Sequence, residues 1–370
     1  MYLKNIYISN FRNYDVLNLT FSPSINIIYG NNAQGKTNLL EAIYVLGMTK
    51  SHRSSIDNTL IKMNEKVSYI KGVLMIEEDQ KQLEIGLSKS KKLLKLNQSE
   101  IKKISDYISH MNIIIFYPED LDLIKGGPSI RRRYINVELS QLYSTYLDVL
   151  NDYNKLLKMR NDCLKQNIKT GYIDDSYVQI LDQYFIEKAS LLYQMRKKFI
   201  DKINHYITEI FKDISGLDNF ILNYHTNIDL DSDISYKDQL VTKLSKHKEV
   251  ERKIGSTMVG PHKDDIQFLL DGKDLKFYGS QGQQRLAVLA LKLAEIKLFQ
   301  DYKKDTPILL LDDVFSELDF IKRNNLLKHI GKNAQTIITT TELELLDHNL
   351  INKSNLIHIH DGKLISKSEV

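Results

Sequence analysis

The 370-residue chain has one cysteine, Cys163, no tryptophan and only five prolines, and no apolar run approaches the roughly 18 residues that a membrane-crossing helix needs. A single thiol excludes an intramolecular disulfide and a cysteine-only metal site, and it fits a reducing compartment. By the burial habits of free cysteine, Cys163 is read as inert. The missing apolar run, and an N-terminus whose Lys4 and Arg12 flank no signal-type stretch, predict a soluble cytoplasmic protein with no membrane partner. Charge of one sign is scarce as well. Against 51 Lys and Arg stand 47 Asp and Glu, a net +4, so any nucleic-acid surface must come from local clustering. No internal repeat is visible, and the length suits about two domains.

What is present begins with Gly30-Asn31-Asn32-Ala33-Gln34-Gly35-Lys36-Thr37, which fits G-x-x-x-x-G-K-[ST]. In that pattern glycines let successive N–H groups face a phosphate, the lysine reaches the β- and γ-phosphates, and the hydroxyl holds Mg²⁺. The ligand class is ATP or GTP. Asp312 lies 275 residues beyond Thr37 and closes Ile308-Leu-Leu-Leu-Asp312-Asp313, four apolar residues delivering a carboxylate at a strand tip. A phosphate-loop protein completes its Mg²⁺ site in this way. The two segments read as one split site, which requires the ends of the chain to fold together around whatever lies between.

Periodicity places these motifs. Tyr2–Ser9 and Ile25–Tyr29 read as strands, and Asn38–Leu46 as a helix, so the glycine loop sits between strand and helix as its chemistry requires. Residues 67–104 read as short strands punctuated by Gly72, Gly86 and Asn97–Ser99, a β-rich wall. From Ile135 through Leu139, Leu142, Tyr146, Val149, Tyr153 and Leu156 a heptad-type seam predicts one long helix. A second seam from Leu181 to Ile210 predicts another, with Gly171 between them. The pair should pack as an antiparallel hairpin, each helix roughly 25 to 35 residues and about 40 to 50 Å long. Residues 226–256 are polar and read as an exposed connection. Ile266–Leu270 and Leu275–Tyr278 read as a β-hairpin, Gln284–Phe299 and Phe320–Ile330 as helices, and Thr336–Thr340 as a strand.

Ser280-Gln281-Gly282-Gln283-Gln284-Arg285 opens a helix and offers a second anion-binding end 27 residues before Asp312. One chain does not need two such ends. The arrangement makes sense when this segment caps the γ-phosphate held by another copy, so that ATP becomes part of a dimer interface. Lys89, Lys91, Lys92, Lys95, Lys102 and Lys103 form a locally basic stretch of the kind that tracks a nucleic-acid backbone without reading bases. Arg131-Arg132-Arg133 either contacts phosphates or is a solvated, salt-bridged face. His262 beside Asp264 and Asp265 matches no standard metal pattern and reads as structural or as part of an interface. Lys50-Ser51-His52-Arg53 follows the phosphate-loop helix and reaches either nucleotide or DNA.

The chain resembles the ABC-type ATPases of the chromosome-maintenance class, and within it the RecF family, over nearly its full length. Asn10–Tyr14, Gly30–Thr37, Tyr117–Leu121, Arg131–Arg133, Gly260–Asp265, Ser280–Arg285, Leu311–Asp313 and Ser316–Asp319 carry the resemblance. It implies an α/β fold: an ABC-type ATPase head formed by N- and C-terminal segments with an inserted helical lobe, a shortened counterpart of the class's coiled-coil arms. The implied division is 1–125, 126–256 and 257–370. Ser280–Arg285 would be the signature motif, Asp312 the Walker B metal residue, and Ser316–Asp319 the D-loop. The implied function is ATP-dependent dimerisation that gates binding to single-stranded, gapped or junction DNA in replication, recombinational repair and the SOS response. Recombination-mediator proteins would be its partners, and slow DNA-stimulated hydrolysis would reset it. Three departures stand out. Asp313 replaces the usual catalytic glutamate, Thr340 or Thr341 stands where a switch histidine is expected, and Glu119 or Asp120 stands in for a metal-sensing glutamine. Alternatives of other classes are an ABC transporter's ATPase subunit, which would need a membrane-protein partner, and a small-molecule kinase, which would not need Ser280–Arg285.

Overall fold

A computed structural model describes every residue except 55, 229–233, 304, 318–322, 324, 325, 327–333, 369 and 370. The α/β chain divides into two compact units. The first comprises Met1–Leu121, Ile210–Gly216 and Arg285–Val370, and the second Asp122–Glu209 and Leu217–Gln284.

The first unit contains two six-stranded sheets. β1 (Tyr2–Phe11) and β2 (Tyr14–Thr20) form a hairpin, and β3 (Ile25–Tyr29) leads through the glycine loop into α1 (Lys36–Met48). β4 (Val67–Ile76), β5 (Asp79–Ser88), β6 (Lys92–Leu96) and β7 (Ser99–Glu100) extend the hairpin into an antiparallel sheet of order β2-β1-β4-β5-β6-β7. This is the wall expected from residues 67–104. Along β4 the side chains alternate between buried and more open, as a sheet with one covered face requires. After the short α2 (Ile104–Ile108) comes β8 (Ile113–Phe116), in the second sheet.

The chain's end completes that sheet with β12 (Ile308–Asp312), β13 (Thr336–Thr340), β14 (Asn355–His360) and β15 (Lys363–Ser368), in the order β15-β14-β3-β13-β12-β8. Every pairing is parallel except the β14–β15 hairpin. β12 and β13 are buried at all five positions, the near-continuous apolar pattern of a parallel sheet covered on both faces. Asp312 pairs with Thr339, and Thr340 pairs with Tyr29, so β13 sets the carboxyl ends of β12 and β3 side by side. Ligands of parallel α/β sheets bind at such strand ends.

The second unit holds α3 (Asp122–Lys125), α4 (Pro128–Leu142), α5 (Tyr146–Thr170), α6 (Asp175–Ser215) up to Glu209, β9 (Phe220–His225), α7 (Tyr236–Ile254), β10 (Asp265–Leu270), β11 (Lys273–Asp274), α8 (Leu275–Tyr278) and the start of α9 (Gln281–Lys303). Gly171 closes α5 in the left-handed conformation, and the α5–α6 pairs Arg160–Asp182 at 2.6 Å and Lys188–Asp152 at 2.7 Å run in antiparallel register.

Five expectations need correction. The seam from Ile135 is two helices, because Tyr143 turns extended and lets Tyr146 bury its ring, with its hydroxyl donating to Asn136 Oδ1 at 2.7 Å. α6 runs 41 residues, roughly 60 Å. The polar stretch 226–256 contains α7, capped by Ser235 and anchored by buried Leu240, Leu244 and Glu251. Leu275–Tyr278 is helical, because the Asp274 side chain accepts from Lys276 N and turns the chain, and β10 pairs instead with β9. The last boundary falls after Gln284, not at 257, because Asp265 and the strand it opens are bound within the second unit. The expected helix Phe320–Ile330 lies largely outside the described residues, as do Leu318 and Asp319 of the expected D-loop.

Candidate nucleotide site

The glycine loop is built where side chains have no room. Gly30 has φ 149°, and a Cβ there would sit 2.3 Å from the Ile359 carbonyl oxygen; Gly35 has φ 111°, and its Cβ would meet Asn13 Nδ2 at 2.7 Å. L-residues rarely adopt either conformation. The hairpin turn brings Asn13 and Tyr14 against the loop. Tyr14 donates to the Gly35 carbonyl at 3.0 Å, Asn38 Nδ2 donates to Asn13 Oδ1 at 2.8 Å, and Asn13 Nδ2 reaches the Gln34 carbonyl at 3.3 Å. From the other side, Gly362 N donates to the Gln34 carbonyl at 2.9 Å and Asp361 N to its side chain at 2.5 Å. The β14–β15 turn therefore braces the loop, a role with no sequence signal of its own. α1 opens directly behind Gly35 with no side-chain cap, which leaves its N-terminus to an anion.

A cleft of about 280 Å³ is lined by Asn32, Ala33, Gly35, Lys36, Thr37, Asn38, Arg53, Asp312, Asp313, Thr339 and Thr341. The two sequence motifs thus share one cavity. Thr37 Oγ1 donates to Asp312 Oδ1 at 2.9 Å, and Thr339 Oγ1 donates to the same oxygen at 2.8 Å. Lys36 Nζ rests on the Gly30 and Asn31 carbonyls at 2.6 and 2.8 Å. Burial raises the Asp312 pKa against the pull of the two hydroxyls and of Arg53, while burial lowers that of Lys36 against the charges of Asp313 and Asp312. Asp313 follows with φ 53°, a left-handed conformation that aspartate tolerates, and its N–H donates to Thr339 Oγ1 at 3.0 Å.

Strand alternation assigns the threonines. Thr339 and Thr341 line the cleft, whereas Thr340, one of the two expected switch residues, donates its hydroxyl to the Glu342 carbonyl. Thr339 was not singled out from the sequence, although the period-2 pattern along Ile338–Thr341 contains the information.

Of the glutamine substitutes, Glu119 is exposed and Asp120 is buried, with Oδ2 accepting from Tyr117 N at 3.0 Å and Oδ1 3.8 Å from Lys292 Nζ. Asp120 and Asp312 line a smaller neighbouring cavity with Arg285. Burial pushes the Asp120 pKa up to about 7 despite Lys292. A raised carboxyl stabilises the fold fully below its ordinary range and loses that contribution as pH climbs through 7. Asp120→Asn, neutral throughout, should therefore match the wild type near pH 4 and exceed it by about 2 to 4 kcal/mol at pH 8. Chemical denaturation at several pH values reads this difference, and a gap constant with pH would contradict it.

The remaining predicted residues separate. Ser280, Gln281 and Gly282 are exposed at the N-terminal end of α9, where Gln283 N donates to Ser280 Oγ at 3.2 Å and Ser280 N to Gln283 Oε1 at 2.8 Å, a reciprocal capping box. Lys89 and Lys91 are exposed on the β5–β6 turn, whereas Lys92 is tied to the Thr49 carbonyl and to Asp57 at 2.8 Å. Arg131 does not form a DNA surface. It is buried, with its guanidinium bidentate on Asp265 at 2.7 and 2.8 Å and a further nitrogen on the Leu123 and Gly126 carbonyls. Arg132 donates to the Asp264 carbonyl at 2.8 Å, and Arg133 is exposed. His262 is structural: Nδ1 lies 2.6 Å from Tyr153 OH, Nε2 lies 3.1 Å from the Thr257 carbonyl, and burial lowers its pKa to about 4.

A family model described as the RecF/RecN/SMC N terminal domain matches residues 2–362. The DNA replication and repair protein RecF of Lysinibacillus sphaericus is 40% identical over 98% of this chain and 99% of its own. The chain belongs to the RecF family. A solved structure described as the recombination mediator protein RecF with ATP in the RecFOR pathway superposes with a TM-score of 0.92 at 33% identity, covering 100% of this chain and 98% of the other. An Smc head bound to the C-winged helix domain of ScpA gives 0.56 at 17% identity, covering 100% of this chain and 99% of the other, which establishes the shared ABC-type head fold. Among the described residues of this RecF-family chain, no helix is long and apolar enough to cross a membrane and no group of three or more His, Cys, Asp or Glu side chains is placed to hold a metal ion.

Proposed function

We propose that this RecF-family chain is an ATP-gated DNA clamp of replication and recombinational repair, acting in the cytoplasm. The observation that carries the reading is the single cleft in which Lys36, the open N-terminus of α1 and the Thr37–Asp312 pair converge. Gly30 to Thr37 would hold the phosphates through backbone N–H groups, with Lys36 exchanging the Gly30 and Asn31 carbonyls for phosphate oxygens. The donor set suits Mg²⁺, since a threonine hydroxyl and a carboxylate are hard oxygen ligands. When bound, the ion neutralises charge on the phosphate oxygens. Asp313 orients water with one methylene less reach than glutamate, and hydrolysis is therefore slow, serving as a timer.

Ser280, Gln281 and Gly282 close the corresponding site of a second copy, and ATP thereby holds a homodimer together. DNA is tracked by the exposed lysines, Lys89, Lys91, Lys102 and Lys103, without base readout. The relatives' names, a DNA replication and repair protein and a recombination mediator bound to ATP in the RecFOR pathway, support a role in DNA repair with other recombination mediators as partners; gapped or junction DNA as the target and a place in the SOS response are part of the proposal. The names give no support to a transporter subunit. Anisotropy of a labelled gapped duplex tests the reading. ATP with Mg²⁺ should tighten binding by the wild type at least tenfold, and Ser280→Arg, which inserts bulk and charge at the dimer seam, should abolish that gain. Equal DNA affinity with and without ATP would refute it.

A further inference from the structure

Behind the phosphate loop, α1 carries a carboxylate that the proposed function does not use. Glu41 is fully buried, yet its pKa is lowered: burial would raise it, and hydrogen bonds from Arg12 and Ser51, with the charges of Arg12 and Arg53, outweigh that. Arg12 grips it with both ends of its fork, Nε to Oε2 at 2.8 Å and Nη2 to Oε1 at 2.7 Å, and Ser51 Oγ donates to Oε1 at 2.5 Å. Both oxygens are therefore occupied before Arg53 arrives.

Arg53 is held differently. Its Nη1 stands 3.7 Å from Glu41 Oε2, at the long end of an ion pair, and donates to Asn38 Oδ1 at 3.2 Å. Its backbone is anchored, since Arg53 N and Ser54 N both donate to Ser51 Oγ at 2.9 Å. The side chain is 39% exposed and lines the cleft beside Lys36, Thr37, Asp312 and Asp313. A fixed base, a loosely held guanidinium and a neighbouring phosphate cavity describe a cation with two destinations. A polyphosphate offers that guanidinium free oxygens in bidentate geometry, which a carboxylate with three of its roughly four acceptor sites taken by Arg12 and Ser51 cannot match.

We propose that Glu41 is a positioning residue that holds Arg53 at the rim of the cleft and yields it to bound phosphates, so that the buried carboxylate sets nucleotide affinity from behind the loop. This rests on reading the cleft as an ATP site. Titrating Mg·ATP into wild type, Glu41→Gln, Arg53→Ala and the double variant tests it. Glu41→Gln should bind about threefold to tenfold more tightly, Arg53→Ala about tenfold more weakly, and the double variant should match Arg53→Ala. If Glu41→Gln leaves affinity unchanged, or weakens it equally with and without Arg53, Glu41 only braces the fold and the inference is overturned. Should Glu41→Gln not fold, Glu41→Asp, which withdraws the charge by one methylene, carries the same cycle with the same sign. A wild type that binds no ATP would instead refute the nucleotide reading itself.

Discussion

Lys36→Met should weaken Mg·ATP binding roughly 100-fold, the loss of about 3 kcal/mol expected when a charge-assisted contact to phosphate is removed. The lysine is already half committed to its task. Its ammonium is partly desolvated, its pKa is lowered by that burial and supported by Asp313 and Asp312, and it rests on two loop carbonyls that phosphate oxygens can replace. The methionine keeps the length and apolar stem, so the fold should tolerate it and melting should shift little. Fluorescence titration with an ATP analogue measures the loss. An unchanged Kd would mean that the cleft does not hold the triphosphate through this loop.

Glu251→Ala should destabilise the second unit by about 3 to 5 kcal/mol, the range for breaking a buried ion pair from one side. Arg160 is the reason. Its guanidinium lies 2.7 Å from Glu251 Oε2 and 2.6 Å from Asp182 Oδ1, and it donates to Thr257 Oγ1 at 2.9 Å, so one side chain of α5 ties together α6, α7 and the loop before Gly260. Glu251 is fully buried and also accepts from Met258 N at 2.7 Å. Truncation takes the acceptor from Met258 N and strips the buried guanidinium of one of its two carboxylates, leaving its charge less compensated in low dielectric. Melting should fall by roughly 10 °C for a unit of this size. Asp182→Asn, whose side chain is 27% exposed, should cost much less. Equal losses in the two variants would contradict the burial argument.

These two residues also show what could be read from the sequence. Lys36 was legible because its chemistry is local: the glycine spacing, the strand before it and the helix after it all lie within a few residues. Asp312 was legible because a buried parallel strand leaves a continuous apolar run ending in a carboxylate. Glu251 and Arg160 were not, since a charge alone carries no sign of whether its partner lies ninety residues away. The same limit explains Arg131, which resembles a surface charge in its triplet yet is consumed by Asp265. α7 was missed because only Leu240 and Leu244 betray its buried stripe within a polar stretch. The β14–β15 brace on Gln34 has no motif, and Glu41 looks like any helix glutamate until Arg12, Ser51 and Arg53 converge on it.

Sedimentation velocity of the wild-type chain, with and without ATP and Mg²⁺, tests the central claim most directly. The account predicts a monomer without nucleotide, a dimer with it, and loss of that dimer in Ser280→Arg while ATP binding persists. A chain that binds ATP yet remains monomeric at every concentration, with or without gapped DNA, would contradict it.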